Sequence, residues 1–311
     1  MTTSEMTMRA RCPEDVLAMV PVLLGFTPTD SITMLTFGAR HSFHARVDLP
    51  GRDDLEEVID VLLAPALQHR VRQVVFVLHS DDGGLAERCF RGLLRAFEEA
   101  GIDVADGLRA DGRRWWPLLG PTRVRRGIGT AYDVSSHPFL TQAVFAGRVT
   151  VGTREDIAAT LSAAEPGHRA QVAAAAAAAT PGDPDWLREA IASGTALTPD
   201  VVGRVLVTVR SAAAREVVLE TLNRPDAARA VQWWTHAVAH APDDLAATPA
   251  AILALAAWLV GNGALAWCAV DRCRRSDPSH PLADLVADLL NRAVPPSVWE
   301  EMSRPGSDDA A

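Results

Sequence analysis

The apolar stretch from Pro249 to Val270 is the feature that most constrains this chain. It is almost wholly apolar and long enough to cross a bilayer, which takes about 20 residues. Its middle carries Gly261-Asn262-Gly263, a polar turn that breaks a helix. We therefore predict two helices of about three turns each, packed as a hairpin, with a membrane span as the alternative.

The spacing within this hairpin is similar to that of one tetratricopeptide-type repeat. The positions concerned are Leu253, Ala254, Gly261, Ala266 and Pro278. Small residues are needed where two helices approach closely, and a proline ends the second helix. We therefore expect a tetratricopeptide-like hairpin in an interaction-type domain.

The length and composition of the chain predict about two domains. It has 311 residues, of which 48% are hydrophobic, so sizeable cores can form. Turn residues cluster at Pro181-Gly182-Asp183-Pro184, the best candidate for a linker. We expect an α/β domain with trailing helices over residues 1–180 and an all-helical domain over residues 181–311.

The first part of the chain alternates strand and helix patterns. Residues 31–37 and 42–49 form a predicted β-hairpin, in which Phe43, Ala45, Val47 and Leu49 share one face and His44, Arg46 and Asp48 share the other. A helical pattern over residues 55–67, a buried strand at 74–78, a helix ending at Gly101 and strand patterns at 102–108 and 114–118 follow. The predicted fold is therefore an α/β or α+β domain with a mixed sheet, built from a β-hairpin and βαβ units.

Later in the chain, helical patterns dominate. Two short runs, Arg148 to Val151 and Val205 to Val209, are rich in β-branched residues and fit either a strand or a helix.

Composition excludes several kinds of chemistry. All thirty basic residues are arginine, so Schiff-base catalysis, a lysine general base and a P-loop are ruled out. The net charge of −9 disfavours general nucleic-acid binding and attraction to an anionic membrane. The four cysteines are scattered without a C-x-x-C pair, and the first eleven residues lack an apolar signal segment. We expect a soluble bacterial protein of the cytoplasm.

The strongest candidate for a ligand site follows the predicted buried strand. His79, Asp81 and Asp82 come directly after it, and Asp48 ends the second strand of the hairpin. If a helix joins the two strands by a parallel crossover, these groups share the carboxyl edge of the sheet, where ligands of open α/β sheets bind. Carboxylates and an imidazole suit a divalent metal or general-base catalysis. The alternative is a turn and helix N-cap, for which Asp and Gly are also preferred.

A second candidate is an arginine cluster around Trp115-Trp116. It comprises Arg109, Arg113, Arg114, Arg123, Arg125 and Arg126. Arginines can hold phosphate while indoles stack on bases. The alternative, which we favour, is solvated arginines beside tryptophans that anchor a domain interface, with Gly127-Ile128-Gly129 as a turn.

His236 and His240 lie four residues apart on a predicted helix, which places both imidazoles on one face. No H-E-x-x-H pattern accompanies them, so we interpret them as a polar stripe and predict no metal site there. The sequence also lacks a G-x-S-x-G nucleophile elbow.

Two separated segments together resemble a bacterial family known as domain of unknown function 4192. The first contains Pro13-Glu14-Asp15, Leu23-Leu24-Gly25-Phe26-Thr27-Pro28, Ser31 and Arg46-Val47-Asp48-Leu49-Pro50. The second contains Trp258, residues 261–266, Asp277-Pro278 and Leu282-Ala283. The resemblance spans nearly the whole chain. It departs from the family at residues 115–135, where many relatives are cysteine-rich and this chain has no cysteine.

The resemblance implies a fold and its boundaries but no assigned activity. We expect a non-enzymatic interaction or regulatory module, whose helical domain contacts a protein partner or a second copy of itself. The alternative is a metal- or nucleotide-dependent enzyme that uses Asp48, His79, Asp81 and Asp82. The sequence identifies no cofactor.

Overall fold

A computed structural model describes residues 8–39, 43–51, 54–121, 127–145, 152–162 and 164–299. The chain divides into two compact units, residues 1–153 and residues 154–311. In this division the helices between residues 154 and 180 group with the helical unit. The boundary near residue 181 stays a prediction from the sequence.

The N-terminal unit is built around a six-stranded mixed sheet. Its elements are α1 (Pro13–Leu24), β1 (Ser31–Phe37), β2 (His44–Asp48), α2 (Leu55–Gln68), β3 (Gln73–His79), α3 (Gly83–Glu99), β4 (Asp103–Ala110), β5 (Arg114–Pro117), β6 (Thr130–Ala131) and α4 (Pro138–Phe145). The strand order is β2-β1-β3-β4-β5-β6. Only β3 and β4 pair in parallel, and the other neighbours are antiparallel. The predicted β-hairpin and mixed sheet are thus confirmed.

Each face of this sheet has its own hydrophobic core. On one face, Ile32, Phe76 and Leu78 pack with residues of α2 and α3, and the predicted apolar face of β2 joins them. On the other face, Leu35, Val75 and Val77 pack with residues of α1. Because side chains alternate along a strand, each strand contributes to both layers.

The helix α1 was not predicted from its sequence pattern. Pro13 occupies its first turn together with Glu14 and Asp15, a favourable arrangement at a helix N-terminus. Gly25 ends it with a left-handed φ of 82°, which glycine adopts without strain. The helix covers the face of the sheet that carries Leu35 and Val77.

The C-terminal unit is helical in all of its described elements. These are α5 (Arg154–Thr160), α6 (Pro166–Ala178), α7 (Pro184–Ala192), α8 (Pro199–Thr208), α9 (Ala212–Thr221), α10 (Ala227–His240), a 3₁₀ turn (Asp243–Leu245), α11 (Ala247–Leu259), α12 (Gly263–Arg274) and α13 (Pro281–Asn291). Residues 205–208 of the ambiguous run therefore form the end of α8, and Val209 is its C-cap residue. The other ambiguous run, residues 148–151, lies outside the described residues.

The predicted hairpin forms from α11 and α12, which pack against each other. Gly261 turns the chain with a φ of 76°, and the side chain of Asn262 caps α12 by accepting a hydrogen bond from the Leu265 amide at 3.0 Å. Ala266 is fully buried in this arrangement. In the described part of the chain, no helix has the length and apolar character that crossing a membrane requires. The likeness to a tetratricopeptide repeat stays a prediction.

Candidate functional site

The carboxyl edge of the sheet brings Asp48 and His79 close to the first residue of β1. Ser31 pairs with Asp48 on β2 and, on its other side, with His79 on β3. Both strands run antiparallel to β1, so they are parallel to each other, and α2 connects them. The carboxyl ends of β2 and β3 therefore lie at the same edge of the sheet.

Asp81 and Asp82 contribute to this edge through local structure. The Asp82 carboxylate caps α3 by accepting hydrogen bonds from the amides of Gly84 and Leu85 at 2.8 and 2.9 Å. The main-chain oxygen of Asp81 accepts a hydrogen bond from Arg109 Nη1 at 3.3 Å. The N-cap interpretation of this turn thus holds for Asp82, whose carboxylate orders the start of α3.

A group of buried polar side chains lies on the face of the sheet that α1 covers. It consists of Ser31, Thr33, Arg46 and His79, which we call the buried polar cluster. Thr33 pairs with Arg46 across the β1–β2 ladder, and Ser31 pairs with His79 across the β1–β3 ladder. Ser31 and Thr33 are fully buried, and His79 is 9% exposed. Residues directly opposite each other in antiparallel strands share a face, so these four side chains emerge together.

Four polar atoms of this cluster have no hydrogen-bond partner among the residues that the structure describes. They are Ser31 Oγ, Thr33 Oγ1, Arg46 Nε and His79 Nε2. Buried polar groups in folded proteins almost always have a partner, so four unpartnered atoms on one surface require an explanation. The sequence pattern identifies His79 as a site residue but not the other three. The signal in the sequence that could have identified them is the alternation of β1, which places the polar residues Ser31 and Thr33 on one face of the strand.

Electrostatics within the cluster keep His79 neutral. Burial lowers the pKa of His79 from 6.5 to about 4, and the nearby positive charge of Arg46 acts in the same direction. Arg46 itself forms an ion pair with Asp48 through Nη1 and donates from Nη2 to the main-chain oxygen of Thr29 at 3.1 Å. Only the Nε atom of this guanidinium is left inside the cluster without a partner.

A cavity of about 300 Å³ lies on the opposite face of the sheet, at the N-terminus of α3. We call it the Arg109 pocket. The residues that line it are Gly83, Gly84, Glu87, Arg109, Trp116, Leu118 and Gly127. Arg109 on β4 pairs with Trp116 on β5, and its Cζ lies 3.6 Å from the centroid of that indole. The stacked indole holds the guanidinium beside the first turn of α3.

The guanidinium of Arg109 packs closely against Gly83 at the edge of the pocket. A Cβ atom at Gly83 would lie 2.7 Å from Arg109 Nη1, too close for a side chain unless the guanidinium moved. Partial burial lowers the pKa of Arg109 by penalising the charged form, while Asp111 and Asp81 favour the charge. Arginine nevertheless stays cationic at neutral pH, so the pocket offers a partly desolvated positive charge.

The two tryptophans of the predicted arginine cluster pack inside the N-terminal unit. Trp115 Nε1 donates to Glu14 at 2.8 Å, and Trp116 Nε1 donates to the main-chain oxygen of Gly127 at 2.7 Å. Arg114 donates to the main-chain oxygen of Gly129 at 2.9 Å, while Arg113 is exposed. Arg123, Arg125 and Arg126 lie outside the described residues. Of the three members that the structure describes, Arg109 lines the cavity.

The predicted histidine pair lies on α10 as expected. The rings of His236 and His240 stack with centroids 4.2 Å apart, and His168 on α6 meets His240 at 6.0 Å. Burial and the neighbouring histidines lower the pKa of His236. Across the described segments, no three His, Cys, Asp or Glu side chains are arranged so that they could hold a metal ion.

Comparison with known proteins places the chain in a family. No curated protein and no solved structure matches the sequence. The model of one family, described as a domain of unknown function (DUF4192), matches residues 13–297 and so covers both units. The chain therefore belongs to the DUF4192 family, as its two characteristic segments indicate.

Proposed function

We propose that the protein is a non-enzymatic regulatory module whose N-terminal unit binds a small anionic metabolite in the Arg109 pocket. The observation that carries this proposal is the guanidinium of Arg109, which is stacked on Trp116 at the wall of a cavity of about 300 Å³. Pockets that hold small molecules in proteins begin at about this volume. In this proposal the occupancy of the pocket follows the concentration of the metabolite, and the protein responds to that occupancy.

The surroundings of Arg109 favour an anionic group. Its Nη1 atom has a single long hydrogen bond, to the main-chain oxygen of Asp81 at 3.3 Å, and no carboxylate lies within ion-pair distance among the described residues. The N-terminus of α3 is already capped, because the Asp82 carboxylate accepts hydrogen bonds from the amides of Gly84 and Leu85. A phosphate or carboxylate would therefore meet the guanidinium of Arg109 as the source of positive charge at this wall.

The size of the cavity restricts the ligand class. Its volume of about 300 Å³ lies at the lower end of the range for pockets that hold small molecules. We therefore expect a compact metabolite that carries an anionic group, such as a sugar phosphate, a mononucleotide or an amino acid.

Native mass spectrometry of the full chain purified from its own host is the first experiment, because it retains bound ligands. The same metabolite classes are then added to purified protein while thermal unfolding is followed. Arg109→Gln should weaken binding about tenfold or more, since a hydrogen-bonded charge contributes about 1.5–3 kcal/mol. Arg113→Gln is the matched control, because Arg113 is exposed on the neighbouring turn.

Equal affinity of the wild-type and Arg109→Gln proteins for every ligand that raises the unfolding temperature would refute this site. A complete lack of stabilisation by all three metabolite classes, with no ligand retained in native mass spectra, would refute the function. The two outcomes are separate, since the first concerns the residue and the second concerns the activity.

An enzyme that uses Asp48, His79, Asp81 and Asp82 is a second candidate. Its support is the register, in which Asp48 and His79 lie on either side of Ser31. The use of Asp82 as a helix cap counts against it. Calorimetric titration of divalent metals and nucleotides into wild type and Asp48→Asn/Asp81→Asn tests it, and equal heats in both proteins would end this candidate.

The helical unit is the proposed surface for a protein partner or for self-association. Its support is that Val260 after α11 and Leu285 on α13 are the large apolar side chains exposed among the described residues of this unit, at 40% and 42%. Light scattering of the full chain at several concentrations tests self-association. A concentration-dependent increase in mass that Leu285→Glu abolishes would support it, and a constant monomeric mass would leave the partner as a different protein.

A further inference from the structure

We propose that the buried polar cluster is a second ligand site, which binds a small oxyanion between Ser31, Thr33, Arg46 and His79. This site lies on the α1-covered face of the sheet, whereas the Arg109 pocket lies on the face covered by α2 and α3. It is therefore independent of the ligand site proposed above. The oxyanion is a carboxylate or a phosphate group.

Burial without hydrogen bonds sets these four residues apart. Ser31 and Thr33 are 0% exposed, and their hydroxyl groups have no partner within the described part of the chain. A hydroxyl that is removed from water without a new hydrogen bond destabilises the fold. The same holds for Arg46 Nε and His79 Nε2. Four such atoms on neighbouring residues are best explained by a polar occupant that bonds to all of them.

The kinds of atoms involved indicate the charge of the occupant. Arg46 Nε is a donor only, the two hydroxyls can each donate, and the neutral imidazole of His79 can donate from Nε2. A ligand that accepts four hydrogen bonds, one of them from a guanidinium, is an oxyanion. Asp48 is the carboxylate that pairs with Ser31 across the β1–β2 ladder. Its side chain is 77% exposed and forms an ion pair with the Nη1 atom of Arg46. The Nε edge of the guanidinium therefore stays available to a second anion.

The spacing of the four residues suits a small ion. Paired residues on neighbouring antiparallel strands have Cα atoms about 4.5–5.5 Å apart. Ser31 and Thr33 are two residues apart on one strand, which separates them by about 7 Å. An oxyanion with two to four oxygen atoms can span such a patch, whereas an extended ligand would have to displace Val77 or α1 from the adjoining core.

The test is a titration of the full chain with sodium phosphate and, separately, with sodium acetate. The protein carries Arg109→Gln, so that binding at the other pocket is weakened and can be distinguished from binding at this site. Calorimetry measures the affinity, and the NMR signals of His79 report its ionisation. We expect saturable binding of at least one anion, and we expect that anion to raise the pKa of His79, because a negative charge favours the imidazolium.

Thr33→Val is the informative variant, because valine keeps the shape of threonine and removes only the hydroxyl. It should lower the affinity about tenfold or more, as expected for the loss of one hydrogen bond to a charged group. Thr36→Val is the matched control. Thr36 lies on the same strand but donates its hydroxyl hydrogen bond to the main-chain oxygen of Phe43, so this variant should bind the anion as tightly as the parent.

Saturation by acetate alone would identify a carboxylate ligand, and saturation by phosphate would identify a phosphate or phosphorylated ligand. Either result supports the site if Thr33→Val weakens it. The absence of saturable binding by both anions to folded protein would overturn the proposal and leave ordered water as the occupant. Equal affinities for the parent, Thr33→Val and Ser31→Ala proteins would overturn it as well.

Discussion

Replacing Gly203 with alanine should destabilise the helical unit, although the same change usually stabilises a helix. Gly203 lies inside α8 and is buried where this helix packs against α6. A Cβ atom at this position would lie 2.6 Å from the main-chain nitrogen of Ala176 and 2.9 Å from the main-chain carbon of Ala175. Favourable contacts between such atoms need about 3.5–4.0 Å. The two helices must therefore separate by roughly 1 Å.

Two opposing terms set the size of the effect. Alanine is favoured over glycine in a helix interior by about 0.5–1 kcal/mol. Overpacking a buried contact costs about 1–3 kcal/mol, and the upper part of that range applies because the obstructing atoms belong to a helix backbone and cannot rotate away. We therefore expect Gly203→Ala to lower the free energy of unfolding by about 1–2 kcal/mol, or the midpoint temperature by about 2–8 °C.

The measurement is urea unfolding of the full chain followed by far-UV circular dichroism. The matched control is Gly167→Ala on α6, where an added Cβ meets no atom within 4 Å. This control should leave the urea midpoint unchanged or raise it slightly. A midpoint for Gly203→Ala equal to or above that of wild type would show that an added Cβ atom fits between α6 and α8, and would refute the predicted overpacking.

Three further outcomes are expected. Ala266→Leu should destabilise the hairpin by about 1–3 kcal/mol in thermal unfolding, because Ala266 is fully buried, and an unchanged midpoint would show that the site can accommodate the larger side chain. Burial lowers the pKa of His79 from 6.5 to about 4, so the unfolded chain takes up a proton that the folded protein does not, and the free energy of unfolding falls by about 3 kcal/mol between pH 6.5 and pH 4. His79→Gln should flatten that part of the curve of stability against pH. Parallel curves for the two proteins would contradict this expectation. Fluorescence anisotropy should detect no binding of arbitrary DNA or RNA near physiological salt, given the net charge of −9, and a salt-dependent submicromolar complex that is lost in Arg123→Ala/Arg125→Ala would overturn this expectation.

Strong periodic patterns made much of the fold predictable. The strict alternation of residues 43–49 identified β2 and its apolar face, since a strand has a side-chain period of two. The turn at Gly261 and Asn262 identified the α11–α12 hairpin, because glycine adopts a left-handed φ of 76° without strain and asparagine is a preferred N-cap of the helix that follows. These signals are local, so they can be read from neighbouring residues alone.

Helix α1 was missed for the opposite reason. Residues Val16 to Val22 are buried on nearly all sides, and Pro21 lies within the helix, so no amphipathic period marks it. The run Val205–Val209 was ambiguous because valine favours strands, yet the Thr198 cap and the packing of α8 on α6 make it mostly helical. In both places tertiary packing outweighs local preference.

The sequence by itself determined which faces of the strands are apolar, where the helical hairpin turns, and that His79 and Asp48 end two strands. Only the tertiary structure decided their neighbours. Ser31 meets both residues because β1 inserts between β2 and β3, an order set by long-range packing of the sheet and its helices. The side-chain period of a strand shows on which face each residue lies. Strand order and register decide which polar side chains become neighbours on that face and which of them lack a hydrogen-bond partner. The buried polar cluster and the Arg109 pocket therefore emerge only in the folded chain.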